Sequence, residues 1–600
     1  MKAGERIVRA AIYPGIGIAR VGNSPDEFFI GAEAPGMLPG MKDGVVDEQF
    51  RYKDKKNRVK RQAARFRIYG FDASGKVVKE LTLDDKEVKI TWSVHVANIK
   101  ANWYQFNNAM DLPIEIAMDA VQRNNKIFGT DRQQLLIDPG AHSISGKDKK
   151  GAELVGQFLD HDVPLGELRT DEKGRLIFLG GFGYSSSPVY ANDISNFSNN
   201  NYWHDDVSDG PVKARVWIKG VEVETESAWV VVAPPKFAPG IAPITPLYNL
   251  GLETWGVPPP QRPSFAEDIF PIFERLSLMQ WLSDNQDMVH GWKARLDFMN
   301  PEFLARLADN TPKNAAFRKR LFRRFRNPNY AVYEPDKLPV ILGDGIDYPN
   351  NPRSMFAVLP GQYQVLKDWS NGNFNNKGWR REVHRKPKPL EEYPLQEQPA
   401  AMDRAALEPC LGGPFHPGIE VTWPMRQKRL YSGLFRIKAA AGLTNQDYGP
   451  LLTPEMAMSE RGPLSASGPG DITRWMGLPW QSDAASCQDV YVPIDFPLPV
   501  WWPVVLPINV LTEYAYTQIM NPKLVADQRE KFFGWRRDWT RGVGDVGYHA
   551  EGGYTEAMIH MVQDWKSLGF VVERKGPTDR GAKELPDSLF VETERQELDA

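Results

Sequence analysis

The sequence predicts an α+β protein in which a strand-rich N-terminal domain is followed by a mixed, helix- and loop-rich C-terminal domain. Three observations lead to this prediction. Two-residue alternation typical of half-buried strands is concentrated before residue 235, a proline-rich passage fills residues 234–263, and helical spacing of apolar residues begins after it. We therefore divide the chain into a domain over residues 1–250 and a second over residues 251–600.

The N-terminal strands are predicted from their side-chain pattern. Apolar and polar residues alternate in the segments 65–70, 88–94 and 212–218, whereas the segment 228–233 is apolar throughout, as expected of a central strand. The glycines at 15, 17 and 22 lack the spacing of a dinucleotide-binding loop. We interpret them as a tight turn between two strands.

The C-terminal elements begin with a helix start at Ser264, because Glu267 three residues later completes the pattern of a capping box. A second helix is predicted over residues 301–325, since Asn300 can cap it and proline fits its first position. The segments 385–400 and 459–471 predict long loops, and residues 574–600 a loosely packed tail.

Composition excludes several functional classes. Of the 600 residues, 42% are hydrophobic and 25% charged, with a net charge of -3, so no overall basic field attracts nucleic acid. No segment approaches the roughly 20 apolar residues of a membrane-spanning helix, and no Sec signal peptide is visible at the N-terminus. We expect a cytoplasmic protein without nucleic-acid or membrane partners.

One polar loop has the residue types of a cation site. His204, Asp205, Asp206 and Asp209 bring one imidazole and three carboxylates close together in sequence, and carboxylate oxygens suit a hard cation. Aspartates in polar loops also accept hydrogen bonds from their own backbone. We favour this second interpretation and predict no metal site.

Two segments combine reactive side chains with glycine- and proline-restricted backbone. One runs from Cys410 past His416, and the other leads to Cys487; these are the only two cysteines, which excludes a disulfide framework. A lone histidine is more often packed than catalytic, and a buried cysteine more often inert. We interpret Cys410 as structural.

Here the chain resembles the LodA-like quinoproteins, a family that includes L-lysine 6-oxidase and glycine oxidase. The resemblance runs nearly from end to end. It is carried by IYPGIGIARVGN (12–23), LGGFG (179–183), WHDDVSDGPV (203–212), GGPFHPGIEVTW (412–423) and WQSDAASC (480–487).

The resemblance implies a cofactor made from the chain itself, cysteine tryptophylquinone, in which a cysteine and a tryptophan are cross-linked and the indole is oxidised. Cys487 matches the cross-linking cysteine, and Asp483 matches the aspartate needed for maturation. The tryptophan is expected some tens of residues later. We prefer Trp539, and Trp535, Trp501 and Trp502 are the alternatives.

The resemblance also implies residues around a substrate. His416 stands where the glycine oxidases carry histidine and the lysine oxidases cysteine, which favours the glycine-oxidase-like branch. Tyr548 and His549 resemble a Tyr-His pair that lines the substrate site there, and Tyr202 is a further pocket candidate. We expect His416 to be the general base, with His549 as second choice, because imidazole titrates near neutral pH.

The activity implied by the family is oxidative deamination of glycine or another small-molecule amino acid by O2, giving an oxo acid or aldehyde, ammonia and hydrogen peroxide. The family further implies a flavoprotein that helps to mature the cofactor, export by a non-Sec route as an alternative to the cytoplasm, and a homo-oligomer. The competing hypothesis is a catalytically inactive member that serves as a binding or structural protein without the quinone.

Overall fold

The computed structural model of the chain describes residues 6–41, 44–106, 109–189, 194–284, 289–345, 348, 350–381, 386–414, 420–421, 423–440, 446–487, 499–543, 553–579 and 585–598. The chain forms two compact units that alternate along the sequence. The first comprises Met1–Pro235, Lys386–Cys410 and Phe415–Asp483, and the second Lys236–Arg385, Leu411–Pro414 and Ala484–Ala600. The α+β class is confirmed, whereas the division of domains at residue 250 stays a prediction.

The first unit contains a 14-stranded sheet. The strands up to residue 233 are β1 Arg9–Tyr13, β2 Ile16–Arg20, β3 Phe28–Ile30, β4 Arg61–Phe71, β5 Val77–Leu81, β6 Val88–Val94, β7 Ala120–Val121, β8 His142–Ser145, β9 Lys150–Phe158, β10 His161–Thr170, β11 Leu176–Gly180, β12 Asp209–Ile218, β13 Val221–Val223, β14 Thr225–Glu226 and β15 Ala228–Ala233. All of these except β7 belong to the 14-stranded sheet. The main path through the sheet is β8-β6-β12-β15-β2-β4-β11-β10-β9.

The predicted strands are confirmed within this sheet. The alternating segments fall in β4, β6 and β12, and the apolar segment is β15, which is buried along its whole length and pairs in parallel with β2. Of the three glycines predicted to form a turn, only Gly15 lies between β1 and β2; Gly17 lies inside β2 and Gly22 follows that strand, so the predicted turn was too long. At Gly15 the prediction is confirmed. The Gly15 amide donates to Asp403 Oδ1 at 2.6 Å, and no room exists for a side chain, because a Cβ there would lie 2.4 Å from the carbonyl oxygen of Phe435.

The rest of the first unit consists of two strand pairs and short helices. Strand β7 pairs with β18, and β16 pairs with β17. These elements are β16 Tyr431–Gly433, β17 Arg436–Ile437, β18 Leu451–Leu452, and the helices Gln398–Leu407 and Pro454–Ala457. A core cluster of this unit joins the β1–β4–β5 region to the helix that begins at Gln398, through Tyr69, Phe71 and Met402.

The second unit is mainly helical, with two antiparallel strand pairs. Its helices are Leu247–Trp255, Phe270–Leu278, Pro301–Ala308, Ala315–Phe322, Pro360–Ser370, Glu513–Ile519, Ala526–Phe533 and Gly553–Asp564. Its strands are β19 Asn509–Leu511, β20 Arg536–Asp538, β21 Phe570–Lys575 and β22 Ser588–Thr593. One part of its core is an aromatic cluster around Phe273, whose ring centroid lies 5.0 Å from that of Phe298 and 5.2 Å from that of Trp369.

Three predictions for this unit need correction. Ser264 caps the helical turn Phe265–Ile269, which precedes the helix Phe270–Leu278, by accepting the amide of Glu267. The Ser264 amide donates to the carboxylate of Asp268, at 2.7 Å, and not to Glu267 as a capping box requires. The helix predicted over 301–325 is two helices, because Pro312 lacks an amide hydrogen and interrupts the turn between them.

The third correction concerns the C-terminal tail, which is not loosely packed. Strand β22 pairs with β21 from Phe570↔Thr593 to Lys575↔Ser588, and Leu589 and Val591 are completely buried. The charged residues of the tail suggested solvent exposure, but the apolar residues 589–591 of β22 follow one another and are all buried, and Glu592 beside them is only 3% exposed. No helix in the described part of the chain is long and apolar enough to cross a bilayer.

Candidate active site

The short helix Trp480–Ser486 leads directly to Cys487, and its first turn is fixed by a buried ion pair. The Trp480 amide donates to Asp205 Oδ2 at 3.1 Å, and Lys100 Nζ lies 2.6 Å from the same oxygen. Lys100 also donates to the carbonyl of Gly477 at 2.7 Å. Both charged side chains have no exposed surface. A carboxylate at the start of a helix complements the orphan amides and the helix dipole, so the pair stabilises the helix entry.

Burial and charge act in opposite directions on the pKa of Lys100. Burial lowers the pKa of Lys100, and the neighbouring Asp205 carboxylate raises it, with a lower pKa as the net result. The cost of burying two charges is offset because Asn98 Nδ2 also donates to Asp205 Oδ1, at 2.8 Å.

The polar side chains of the helix are buried and bonded. Gln481 Nε2 donates to the carbonyl of Gly183 at 3.0 Å, and its Oε1 accepts from the Ser185 hydroxyl at 2.6 Å. The Ser482 hydroxyl donates to the carbonyl of Phe197 at 2.7 Å. Asp483 follows, 1% exposed. The segment 179–183, which is one of those that carry the family resemblance, therefore contacts the segment that ends in Cys487.

The polar loop that was weighed as a cation site supports the backbone instead. Asp206 accepts the amides of Phe182 at 2.6 Å and Tyr184 at 3.0 Å, and burial raises the pKa of Asp206 to about 7. His204 Nε2 lies 2.9 Å from the Ser186 hydroxyl, and burial lowers the pKa of His204 to about 4.

Asp209 also has a structural set of partners. It accepts from the Thr473 amide and hydroxyl, both at 2.7 Å, and from Trp229 Nε1 at 2.9 Å, while burial raises its pKa to about 7. No group of three or more metal-ligating side chains occurs among the described residues.

The structure brings a tryptophan to Cys487, and that tryptophan is Trp502. Cys487 is half-buried, and its carbonyl accepts the indole N–H of Trp502 at 3.1 Å. Trp502 is 4% exposed and packs edge-to-face on Trp501, with ring centroids 4.6 Å apart. The sulfur-bearing residue and an indole are therefore neighbours across a gap of fifteen positions (502 − 487).

Trp539, the preferred candidate in the sequence analysis, has the surroundings of a core residue. It is completely buried, its indole N–H donates to the carbonyl of Gly569 at 2.9 Å, and its ring lies 4.8 Å from that of Phe237. Trp535 is 47% exposed and stacks on Phe532. Sequence distance alone could not rank these tryptophans, since it does not reveal which indole reaches Cys487.

Three predicted site residues, His416, Tyr548 and His549, lie outside the described residues. Tyr202 is half-buried, its φ is +62°, and its amide donates to Asn124 Oδ1 at 2.6 Å. A tyrosine held in the left-handed region needs support of this kind.

Cys410 is buried beside a charged pair. Arg20 Nη2 lies 3.6 Å from the Cys410 sulfur and 2.6 Å from Glu420 Oε1, and Cys410 is 3% exposed. These are the contacts of a residue enclosed by the fold, as expected of a structural cysteine.

Two polar contributions were missed by sequence reasoning. Lys100 is a single lysine in a segment without any recognisable motif, so nothing in the sequence indicated its burial. Tyr554, whose hydroxyl lies 2.9 Å from Ser486 Oγ, could have been suspected only from its place shortly after the Tyr548-His549 pair.

Comparison with known proteins shows that most of the chain is similar to L-lysine epsilon oxidases. The family model described as L-lysine epsilon oxidase N-terminal matches residues 13–232, and the one described as L-lysine epsilon oxidase C-terminal domain matches residues 342–503. L-lysine 6-oxidase of Marinomonas mediterranea is 30% identical over 549 residues, which cover 80% of this chain and 71% of that protein.

Solved structures of the L-Lys epsilon-oxidase from the same organism have a similar fold. The Schiff base intermediate of that enzyme with L-Lys matches with a TM-score of 0.71 and 25% identity, covering 98% of this chain and 95% of the other. A second crystal structure of that enzyme matches with a TM-score of 0.71 and 24% identity, covering 98% and 94%.

Proposed function

Since the chain belongs to the L-lysine epsilon oxidase family, we propose that it is an amino-acid oxidase carrying a cysteine tryptophylquinone formed from Cys487 and Trp502. The observation that carries this proposal is the hydrogen bond from the Trp502 indole to the Cys487 carbonyl. We assign the cofactor tryptophan to Trp502 in place of Trp539, because the Trp502 indole contacts Cys487, whereas the Trp539 indole contacts Gly569 and Phe237.

The residues at this position suit such a group. Cys487 is half-buried as a residue and its carbonyl is hydrogen-bonded to Trp502, which is itself 4% exposed and so screened from water. A quinone at this indole would supply the electrophilic carbonyl and the two-electron acceptor that no unmodified side chain provides.

The chain's own residues have separate roles in this proposal. Asp483 is a buried carboxyl group four residues before Cys487, and we propose that it accepts a proton during formation of the thioether. We further propose His416 as the base that removes the substrate Cα proton, with His549 second, and Tyr548 and Tyr202 as residues that line the substrate pocket.

The remaining features of the proposal come from the family. The substrate is an amino acid, with glycine favoured by His416; O2 is the co-substrate, and ammonia and hydrogen peroxide are released. A flavoprotein assists maturation, and the chain forms a homo-oligomer, located in the cytoplasm or exported by a non-Sec route. A peroxide assay with glycine and L-lysine as separate substrates tests specificity, and faster turnover of L-lysine would contradict the glycine assignment.

Intact-mass measurement tests the cofactor. Protein co-produced with the maturing flavoprotein should gain about 28 Da, since cross-linking removes two hydrogens and quinone formation adds two oxygens and removes two more hydrogens. Cys487→Ser and Trp502→Phe should abolish both the gain and the quinone absorbance. Cys410→Ser and Trp539→Phe are the matched controls. Their folded fraction should keep both the mass gain and the quinone absorbance.

An unchanged mass in the wild-type protein would support the competing hypothesis of an inactive scaffold. Loss of the cofactor in Trp539→Phe with its retention in Trp502→Phe would contradict the assignment of the tryptophan.

A further inference from the structure

A tyrosine hydroxyl contacts the residue that immediately precedes Cys487. The hydroxyl of Tyr554 lies 2.9 Å from Ser486 Oγ, and Ser486 is only 5% exposed. Tyr554 lies in the first turn of the helix Gly553–Asp564, whose Ala557 and Met558 are completely buried. The phenol is therefore presented from an anchored helix rather than from a loop.

Cys487 is consequently held on both sides of its α-carbon. On one side the Ser486 side chain contacts Tyr554, and on the other the Cys487 carbonyl accepts the Trp502 indole N–H at 3.1 Å. The bond to Trp502 supplies a partner to a carbonyl just beyond the helix end, where backbone acceptors have no intrahelical donor. The backbone that carries the sulfur is therefore held at two points.

We propose that Tyr554 is a positioning residue that acts through Ser486 to keep the Cys487 thiol beside the Trp502 indole. The inference rests on the proposed function, because it assigns Tyr554 a role in forming the thioether. It concerns the protein before cross-linking, when no covalent bond yet joins the sulfur to the indole. A neutral hydrogen bond contributes about 1 kcal/mol, which corresponds to about a fivefold change in the population of the held arrangement.

The test uses Tyr554→Phe, which removes the hydroxyl and keeps the ring. In protein produced without the flavoprotein, the rate of Cys487 alkylation by iodoacetamide should rise about fivefold, because the backbone at Ser486 and Cys487 opens more often without the bond from Tyr554. In protein co-produced with the flavoprotein, the rate at which the cross-linked mass accumulates should fall by about the same factor. Buried Cys410 is an internal reference within the same molecule.

Tyr516→Phe is the matched control. The Tyr516 hydroxyl donates to the carbonyl of Lys575 at 3.0 Å, on the exposed surface of the same unit, so its loss should change neither rate. Ser486→Ala removes the other partner of the bond and should reproduce the effect of Tyr554→Phe. The double variant should add nothing further if the two hydroxyls act as one pair.

Equal alkylation and cross-linking rates in wild type, Tyr554→Phe and Ser486→Ala would overturn the inference. A fall in thermal stability with both rates unchanged would also overturn it, since that is the signature of a purely structural bond. If the wild type never gains the cross-link while alkylation still rises in both variants, the proposed cofactor fails and the positioning of Cys487 by Tyr554 stands.

Discussion

His290 should make the protein sensitive to acid. Its side chain is completely buried, and among the described residues neither ring nitrogen has a hydrogen-bond partner. The ring lies 5.7 Å from that of Phe298. Burial lowers the pKa of His290 to about 3, and the positive charge of Arg324 acts in the same direction.

The effect on stability follows from the difference between the folded and unfolded states. A histidine in the unfolded chain has a pKa of about 6.5, so below that pH His290 is protonated in the unfolded chain but stays neutral in the folded protein. Stability is therefore complete above pH 6.5 and is lost progressively as the pH falls from there toward 3. At pH 5, which is about 1.5 units below the unfolded pKa, the free energy of unfolding is lower by about 2 kcal/mol than above pH 6.5.

The assay is urea unfolding of wild type and His290→Leu at pH 7.5 and pH 5.0. Leucine fills similar space without a group to protonate, and no hydrogen bond is lost, so the variant should have nearly wild-type stability at pH 7.5 and about 2 kcal/mol less acid-induced loss at pH 5.0. His161→Gln, at an exposed position, is the control and should follow wild type. An identical pH dependence in wild type and His290→Leu would refute the reasoning.

Two further substitutions test the packing around the candidate site. Lys100→Met leaves the Asp205 carboxylate buried without its counter-charge and should reduce the free energy of unfolding, measured by urea unfolding, by about 3–5 kcal/mol. Lys147→Met, at the exposed pair with Asp84, should lower it far less, and similar losses in the two variants would refute the role of burial. Gly412→Ala places a Cβ 2.6 Å from backbone atoms of Leu247 and should reduce the free energy of unfolding by about 1–3 kcal/mol, measured by thermal or urea unfolding. Gly534→Ala, whose Cβ would have its nearest neighbour at 3.7 Å, is the control and should reduce it less. An unchanged stability in Gly412→Ala would contradict the prediction.

Local patterns in the sequence predicted local structure well. Alternation identified β4, β6 and β12, and the apolar run identified β15. A half-buried strand alternates apolar and polar side chains and a fully buried strand is apolar throughout, so both patterns can be seen in the sequence. The break at Pro312 was overlooked although proline carries a clear signal. The tail strand β22 was overlooked because its apolar run is only three residues long, 589–591, and is surrounded by charged residues.

The candidate site was predictable only in part. Cys487 and Asp483 were identified from a continuous motif, but the partner indole lies on a different segment and is chosen by the fold. Four tryptophans satisfied the sequence argument, and a single hydrogen bond from Trp502 distinguishes one of them. Lys100 and Tyr554 could not be predicted, since their roles arise from tertiary contacts between segments 105 and 68 positions apart (205 − 100 and 554 − 486).

Peptide mapping of the matured protein tests the central claim most directly. Trypsin cannot separate Cys487 from Trp502, since no lysine or arginine lies between positions 474 and 523, but it releases Trp539 in the peptide 538–541. Further cleavage before Asp483, Asp489 and Asp495 would separate an unlinked Cys487 from Trp502. The account predicts that the fragment 483–488 stays joined to the fragment 495–523, with the thioether on Trp502, and a thioether that joins Cys487 to the peptide 538–541 would contradict it.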